Sequence, residues 1–158
     1  MAAYYFDSSA LAKFYHPEVG TSAVDRIIQA ADNKIRISRL TVVELPSVFA
    51  IKVRTEFINR DDARVFLRQF REDIISRKFE VFAVRETEFA AAERLIERYA
   101  FDLRLRALDA LQIAIALAEE PGTGGSLRGR GQDPLRSCRA RGVLRRQPGT
   151  VRDWQGRL

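Results

Sequence analysis

Three short strand-like segments, at residues 3–6, 35–38 and 80–84, are separated by longer stretches of helical periodicity, and this alternation constrains the chain more than any other feature. Runs of four or five residues suit buried strands, whereas the stretches between them carry apolar side chains every three to four positions. Helices are expected over 10–15, 20–31, 41–58, 61–74, 87–99 and 106–118. Ser8 or Ser9 is placed to cap the first of these, and Pro17 to stop it. In the fourth, Ala63, Phe66, Leu67, Phe70 and Ile74 form one apolar stripe. Short strands alternating with amphipathic helices predict an α/β fold, a parallel sheet sandwiched between helices. Functional groups in such sheets collect at the carboxyl ends of the strands, where Asp7 stands.

Composition narrows the chemistry. A lone histidine, His16, and a lone cysteine, Cys138, exclude a His/Cys zinc cluster and an internal disulfide. No apolar run approaches the ~20 residues that span a bilayer. The start of the chain has no basic region of the secretory kind, so a cytoplasmic location is the default expectation. A glycine-rich nucleotide loop is also missing. A Ser-His-Asp triad would have to use His16, which precedes a proline at a helix end. Catalysis is therefore expected to rest on carboxylates.

The net charge of +6 suggests a polyanionic partner, but it is unevenly spread. Residues 1–118 carry 18 Lys and Arg against 17 Asp and Glu, whereas residues 119–158 carry nine arginines against four acids. The last forty residues also hold eight of the nine glycines and lack lysine and apolar periodicity. Two domains of text are thus expected: residues 1–118 as the folded part, and 119–158 as an atypical Arg/Gly-rich segment, disordered or read from a shifted frame of a GC-rich gene. Val143, Leu144 and Trp154 are its visible anchors.

Three acids interrupt apolar patterns. Asp7 follows Ala3-Tyr4-Tyr5-Phe6; Glu44 shares a helical stripe with Leu40, Val48 and Ile51; Asp109 shares one with Leu105, Ile113 and Ala116. Buried carboxylates are costly unless paired or bound to a cation, and hard oxygen ligands suit magnesium or manganese. Each acid also has a plainer reading. Asp7 can cap a helix. Thr41-Val42-Val43-Glu44 fits a capping box. Asp109 can pair with Arg104 or Arg106.

Tyr5-Phe6-Asp7-Ser8-Ser9-Ala10-Leu11-Ala12-Lys13-Phe14-Tyr15 resembles the opening of PIN-domain proteins of the VapC toxin type. Thr41-Val42-Val43-Glu44-Leu45 is similar to their second acidic motif, and Leu105-Arg106-Ala107-Leu108-Asp109-Ala110-Leu111-Gln112-Ile113-Ala114 to their third. The resemblance covers roughly residues 3–118 and implies a PIN-like fold and a Mg2+- or Mn2+-dependent ribonuclease. It implies that Asp7, Glu44 and Asp109 are the catalytic metal ligands. A VapB-like antitoxin, an RNA substrate and a homodimer are the implied partners, with Lys13, Arg104 and Arg106 available to phosphate or else solvated. The family pattern then continues into further strands with a fourth acid. Here Asp133, in Gly-Gln-Asp-Pro-Leu, is the candidate relic of that acid and no strand pattern is visible, which keeps open a catalytically impaired module that binds an antitoxin or a dimer partner.

Overall fold

The computed structural model describes residues 2–118; Asp133, Val143, Leu144, Trp154 and the expected character of 119–158 lie outside them. The chain divides into two compact units, Met1–Ala83 and Val84–Leu158.

In the first unit the order is β1 (Ala2–Tyr5), α1 (Ser8–Tyr15), α2 (Thr21–Gln29), β2 (Asn33–Ser38), α3 (Arg39–Arg54), α4 (Arg60–Ile75) and β3 (Glu80–Phe82). The strands form a parallel sheet in the order β1-β2-β3, so each connection crosses over through a pair of helices. Tyr5 pairs with Arg36, and Ser38 with Phe82. Arg36 lies across to β3, where its Nε donates to Glu80 at 3.1 Å and its guanidinium covers the Phe82 ring. The expected α/β architecture is therefore present, with helix-bearing parallel strands.

Local chemistry explains where the elements start and stop. Asp7, not Ser8 or Ser9, caps α1: its carboxylate accepts from the Ala10 amide at 2.7 Å. A serine within the first turn cannot cap the turn it belongs to. Gly20 precedes α2 with φ +97°, a conformation that costs a residue with a side chain but not glycine. Asn59 caps α4 through the Asp62 amide at 2.7 Å. The third strand stops at Phe82, two residues earlier than the apolar run, because pairing with β2 ends there.

The core of this unit gathers Phe6, Leu11 and Tyr15 from the first segment, Ile35 and Ile37 from β2, Leu45 and Phe49 from α3, and Phe70 and Phe79 around α4. Fully burying each large side chain contributes about 1.5–3 kcal/mol. The expected α4 stripe faces this core, with Ala63 and Phe70 buried and Phe66, Leu67 and Ile74 partly so. One buried charge accompanies it. Asp73 accepts from the Tyr15 hydroxyl at 2.8 Å and from Gln69 Nε2 at 3.2 Å, with Lys78 Nζ at 3.5 Å. The acid is thus satisfied and ties α4 to α1.

The second unit contributes α5 (Glu86–Tyr99) and α6 (Ala107–Ala118), which pack on one another. Glu88 closes the first turn of α5 by accepting from the Arg85 amide at 2.6 Å. Residues 110–116 of α6 are all buried. No helix among the described residues is long and apolar enough to cross a membrane.

Tyr15→Phe removes a hydrogen bond to a buried charge and is expected to lower stability by about 1.5–3 kcal/mol in urea unfolding. Burial first, and then the bond to Asp73 and its charge, hold the Tyr15 hydroxyl protonated well above its ordinary value of 10.0. The unfolded chain releases that proton near pH 10, so stability falls as pH rises beyond it. Phenylalanine at this position is expected to flatten the alkaline decline.

Candidate active site

The parallel pairing of β1 and β2 delivers two chain segments to the same end of the sheet. The Phe6 amide donates to the Arg36 carbonyl at 2.8 Å, extending the ladder one residue past β1 and fixing Asp7 at its carboxyl end. On the neighbouring strand, Ser38 ends β2 and begins α3. Its Oγ accepts from the Thr41 amide at 3.0 Å, which makes it the helix cap. The Ser38 and Thr41 hydroxyls lie 3.2 Å apart, and Thr41 Oγ1 donates to the Phe6 carbonyl at 3.4 Å. Both side chains are fully buried. The first turn of α3 is thereby bonded to the backbone one residue ahead of Asp7.

Tyr5 sits beneath this junction with 3% of its surface exposed. Its hydroxyl bonds the side chains of Ser38 and Thr41, and Asp7 and Glu44 are both close enough to act on it electrostatically. Burial chiefly, with the two carboxylates adding to it, raises the Tyr5 hydroxyl well above the ordinary tyrosine range. The phenol therefore stays protonated, although its bonds to Ser38 and Thr41 act in the opposite sense. Asp7 and Glu44 consequently share one neighbourhood, although 37 residues separate them in sequence.

The plainer readings of the acids divide. Asp7 is a helix cap, and one of its oxygens is engaged by Ala10. The capping-box reading of Glu44 fails, because α3 begins at Arg39 and Ser38 is its cap, which puts Glu44 in the second turn. Glu44 also lies beside the core stripe, not on it: Thr41, Leu45 and Phe49 are buried, while Glu44, Leu40, Val48 and Ile51 are half-buried. Asp109 belongs to the second unit. It is half-buried in the first turn of α6, where the helix dipole favours an acid. Arg104 and Arg106 are exposed and make no ion pair among the described residues, so they do not supply the expected partner of Asp109. Lys13 is committed to local structure, donating to the Val19 carbonyl at 2.9 Å near Glu18.

Among the described residues no group of three or more His, Cys, Asp or Glu side chains is arranged to hold a metal ion. The acidic pair of the first unit offers carboxylate oxygens only. That donor set fits magnesium or manganese, which keep several waters and take few protein ligands. Sequence reasoning missed Tyr5 and Ser38 as parts of the site. The signal available was weak: a tyrosine two residues before the acid, and a serine three before a threonine.

Comparison with known families matches the chain to the PIN domain over residues 4–120. No curated protein matches the chain.

Asn is as good a helix cap as Asp, whereas Ala is not. Asp7→Asn is therefore expected to melt close to the unaltered protein, and Asp7→Ala to lose about 1 kcal/mol in thermal unfolding. A large loss in both would mean that the charge of Asp7, not its cap, holds the first unit together.

Proposed function

The chain belongs to the PIN domain family, and on that premise we propose that it is a metal-dependent endoribonuclease of the VapC type, the toxin of a type II toxin–antitoxin pair. PIN domains are generally metal-dependent nucleases that act on RNA or DNA. The observation that carries the finer reading is that Asp7 and Glu44 both act electrostatically on the buried Tyr5 hydroxyl, in a chain whose motifs resemble that toxin group. Residues 1–118 form the PIN-like domain in this reading, with 119–158 as an atypical segment.

Asp7, Glu44 and Asp109 would hold Mg2+ or Mn2+. When bound, such an ion supplies an activated water and offsets charge on the phosphoryl oxygens. The protein's own contribution is orientation. Ala10 fixes one Asp7 oxygen. The hydroxyls of Tyr5, Ser38 and Thr41 fix the junction that carries Asp7 and the first turn of α3, one turn ahead of Glu44. A carboxylate oxygen of one of the acids takes the proton of the attacking water. A VapB-like antitoxin and a second copy of the chain are the protein partners of this reading, and the cytoplasm its location.

The test is cleavage of a mixed RNA pool by the full chain, with manganese or magnesium against chelator. Cleavage that needs metal and falls about a hundredfold or more in Asp7→Asn, Glu44→Gln and Asp109→Asn is the expected result, the scale of a lost proton-transfer group. Folded protein that leaves the pool intact, with any antitoxin removed, would sink the nuclease and leave a module that only binds its antitoxin or dimer partner. Retained cleavage in Asp109→Asn alone would remove that residue from the site.

A further inference from the structure

Helix α4 carries Arg60, Arg64, Arg68 and Arg71, all exposed. Their spacings of four, four and three residues place them within roughly 80° of arc at 3.6 residues per turn, along about 16 Å of helix. The acids of the same helix are elsewhere. Asp61 and Glu72 lie beyond one edge of the arginine arc, and Asp62 farther round. Among the described residues Arg64 pairs with Asp61 at 3.0 Å, and that pair is open to solvent. Arg60, Arg68 and Arg71 make no ion pair or hydrogen bond among the described residues.

A merely solvated helix face gains from opposite charges at i,i+4 and loses from like ones. This face sets Arg64 against both Arg60 and Arg68, and Glu72, four residues past Arg68, makes no ion pair with it among the described residues. Arg60 also stands in the first turn, the unfavourable end of the helix dipole for a cation. Such an arrangement becomes favourable when an evenly charged polyanion lies along it. Phe57, in the turn just ahead of α4, is 73% exposed. An exposed aromatic beside a basic track suits a strand whose bases are unpaired.

We propose that the arginine face of α4 is a phosphate track for single-stranded RNA, with Phe57 stacking a base at its start. The proposal rests on the ribonuclease reading for its choice of polyanion. Guanidinium contacts to phosphate position a strand without reading its sequence. The track therefore sets how tightly a long substrate is held, and not where it is cut.

The test uses the full chain, in chelator so that no cleavage occurs, with a labelled single-stranded RNA of mixed sequence. Affinity is followed by fluorescence anisotropy between 50 and 200 mM salt. Each single-strand phosphate contact contributes about 0.7 to the slope of log affinity against log salt, so the triple variant R64Q/R68Q/R71Q should lose about 2 from it. Over that range the unaltered protein should then lose roughly eighteenfold more affinity than the variant. The matching lysine triple variant should keep the slope. Phe57→Ala should weaken binding at every salt concentration and leave the slope unchanged. If the triple glutamine variant unfolds on melting, Arg68→Gln alone should lower the slope by about 0.7.

An unchanged affinity and slope in the glutamine variants would overturn the track. So would variants that bind RNA normally but lose binding to polyglutamate, which would assign the face to an acidic protein. RNA held by the track but never cut in the presence of metal would refute the nuclease and not the track. RNA cut by the unaltered protein, with binding indifferent to the arginines, would refute the track alone.

Discussion

A phenol hydroxyl buried beneath a sheet has no water to turn to, and an unbonded one costs on the order of 1–3 kcal/mol. Tyr5 meets that demand with Ser38 and Thr41, side chains that exist at its position only because β1 and β2 pair in one register. Slipping the pairing by one residue would turn Tyr5 to the other face of the sheet and separate all three hydroxyls. The cap of α3, the end of β1 and the position of Asp7 all depend on this register. The bonds that satisfy the tyrosine thus sit at the junction that carries Asp7 and leads into the helix of Glu44, both of which act electrostatically on the phenol.

The alternation of strands and helices is readable in the sequence because it is a local property. Apolar residues at 4–6 and at 35 and 37 mark the strands, and the stripe through Ala63 and Phe70 marks the buried face of α4. Element ends were less legible, since caps are decided by single side chains. Asp7 and Ser38 both cap helices, and each was overshadowed by a neighbouring Ser or Thr that also fits the cap pattern. Glu44 shows how a one-residue error in a helix face misleads. The buried stripe of α3 runs through Thr41, Leu45 and Phe49, one position on from the stripe inferred. That shift takes Glu44 out of the core and to the flank, where a carboxylate can reach a site. Asp73 was not legible at all. Its partner Tyr15 is 58 residues away, and no pattern within α4 announces a buried charge.

Two uses of aspartate stand side by side in the first unit. Asp73 is enclosed by Tyr15, Gln69 and Lys78, and its bonds are spent within the fold. Asp7 is half-buried, with a backbone amide on one oxygen. Burial alone would have ranked Asp73 as the more unusual residue. The bonds of Asp73 show that its carboxylate, held by Tyr15, Gln69 and Lys78, braces the core, whereas Asp7 caps a helix at the end of a strand.

The parallel order of the sheet also fixes when the acidic pair comes into being. β1 has no neighbour until β2 follows it, with Ala2 opposite Asn33, and β3 joins last, pairing with β2 from Arg36 opposite Glu80 to Ser38 opposite Phe82. A ribosome adding roughly 5–20 residues per second leaves β1 waiting for seconds before its partner emerges. Glu44 follows later still, and Asp109 comes from a separate unit near the end of the matched region. An unfinished chain thus carries Asp7 without its companions. Strands that must cross over to pair thus leave this end of the sheet unassembled during much of the chain's own synthesis.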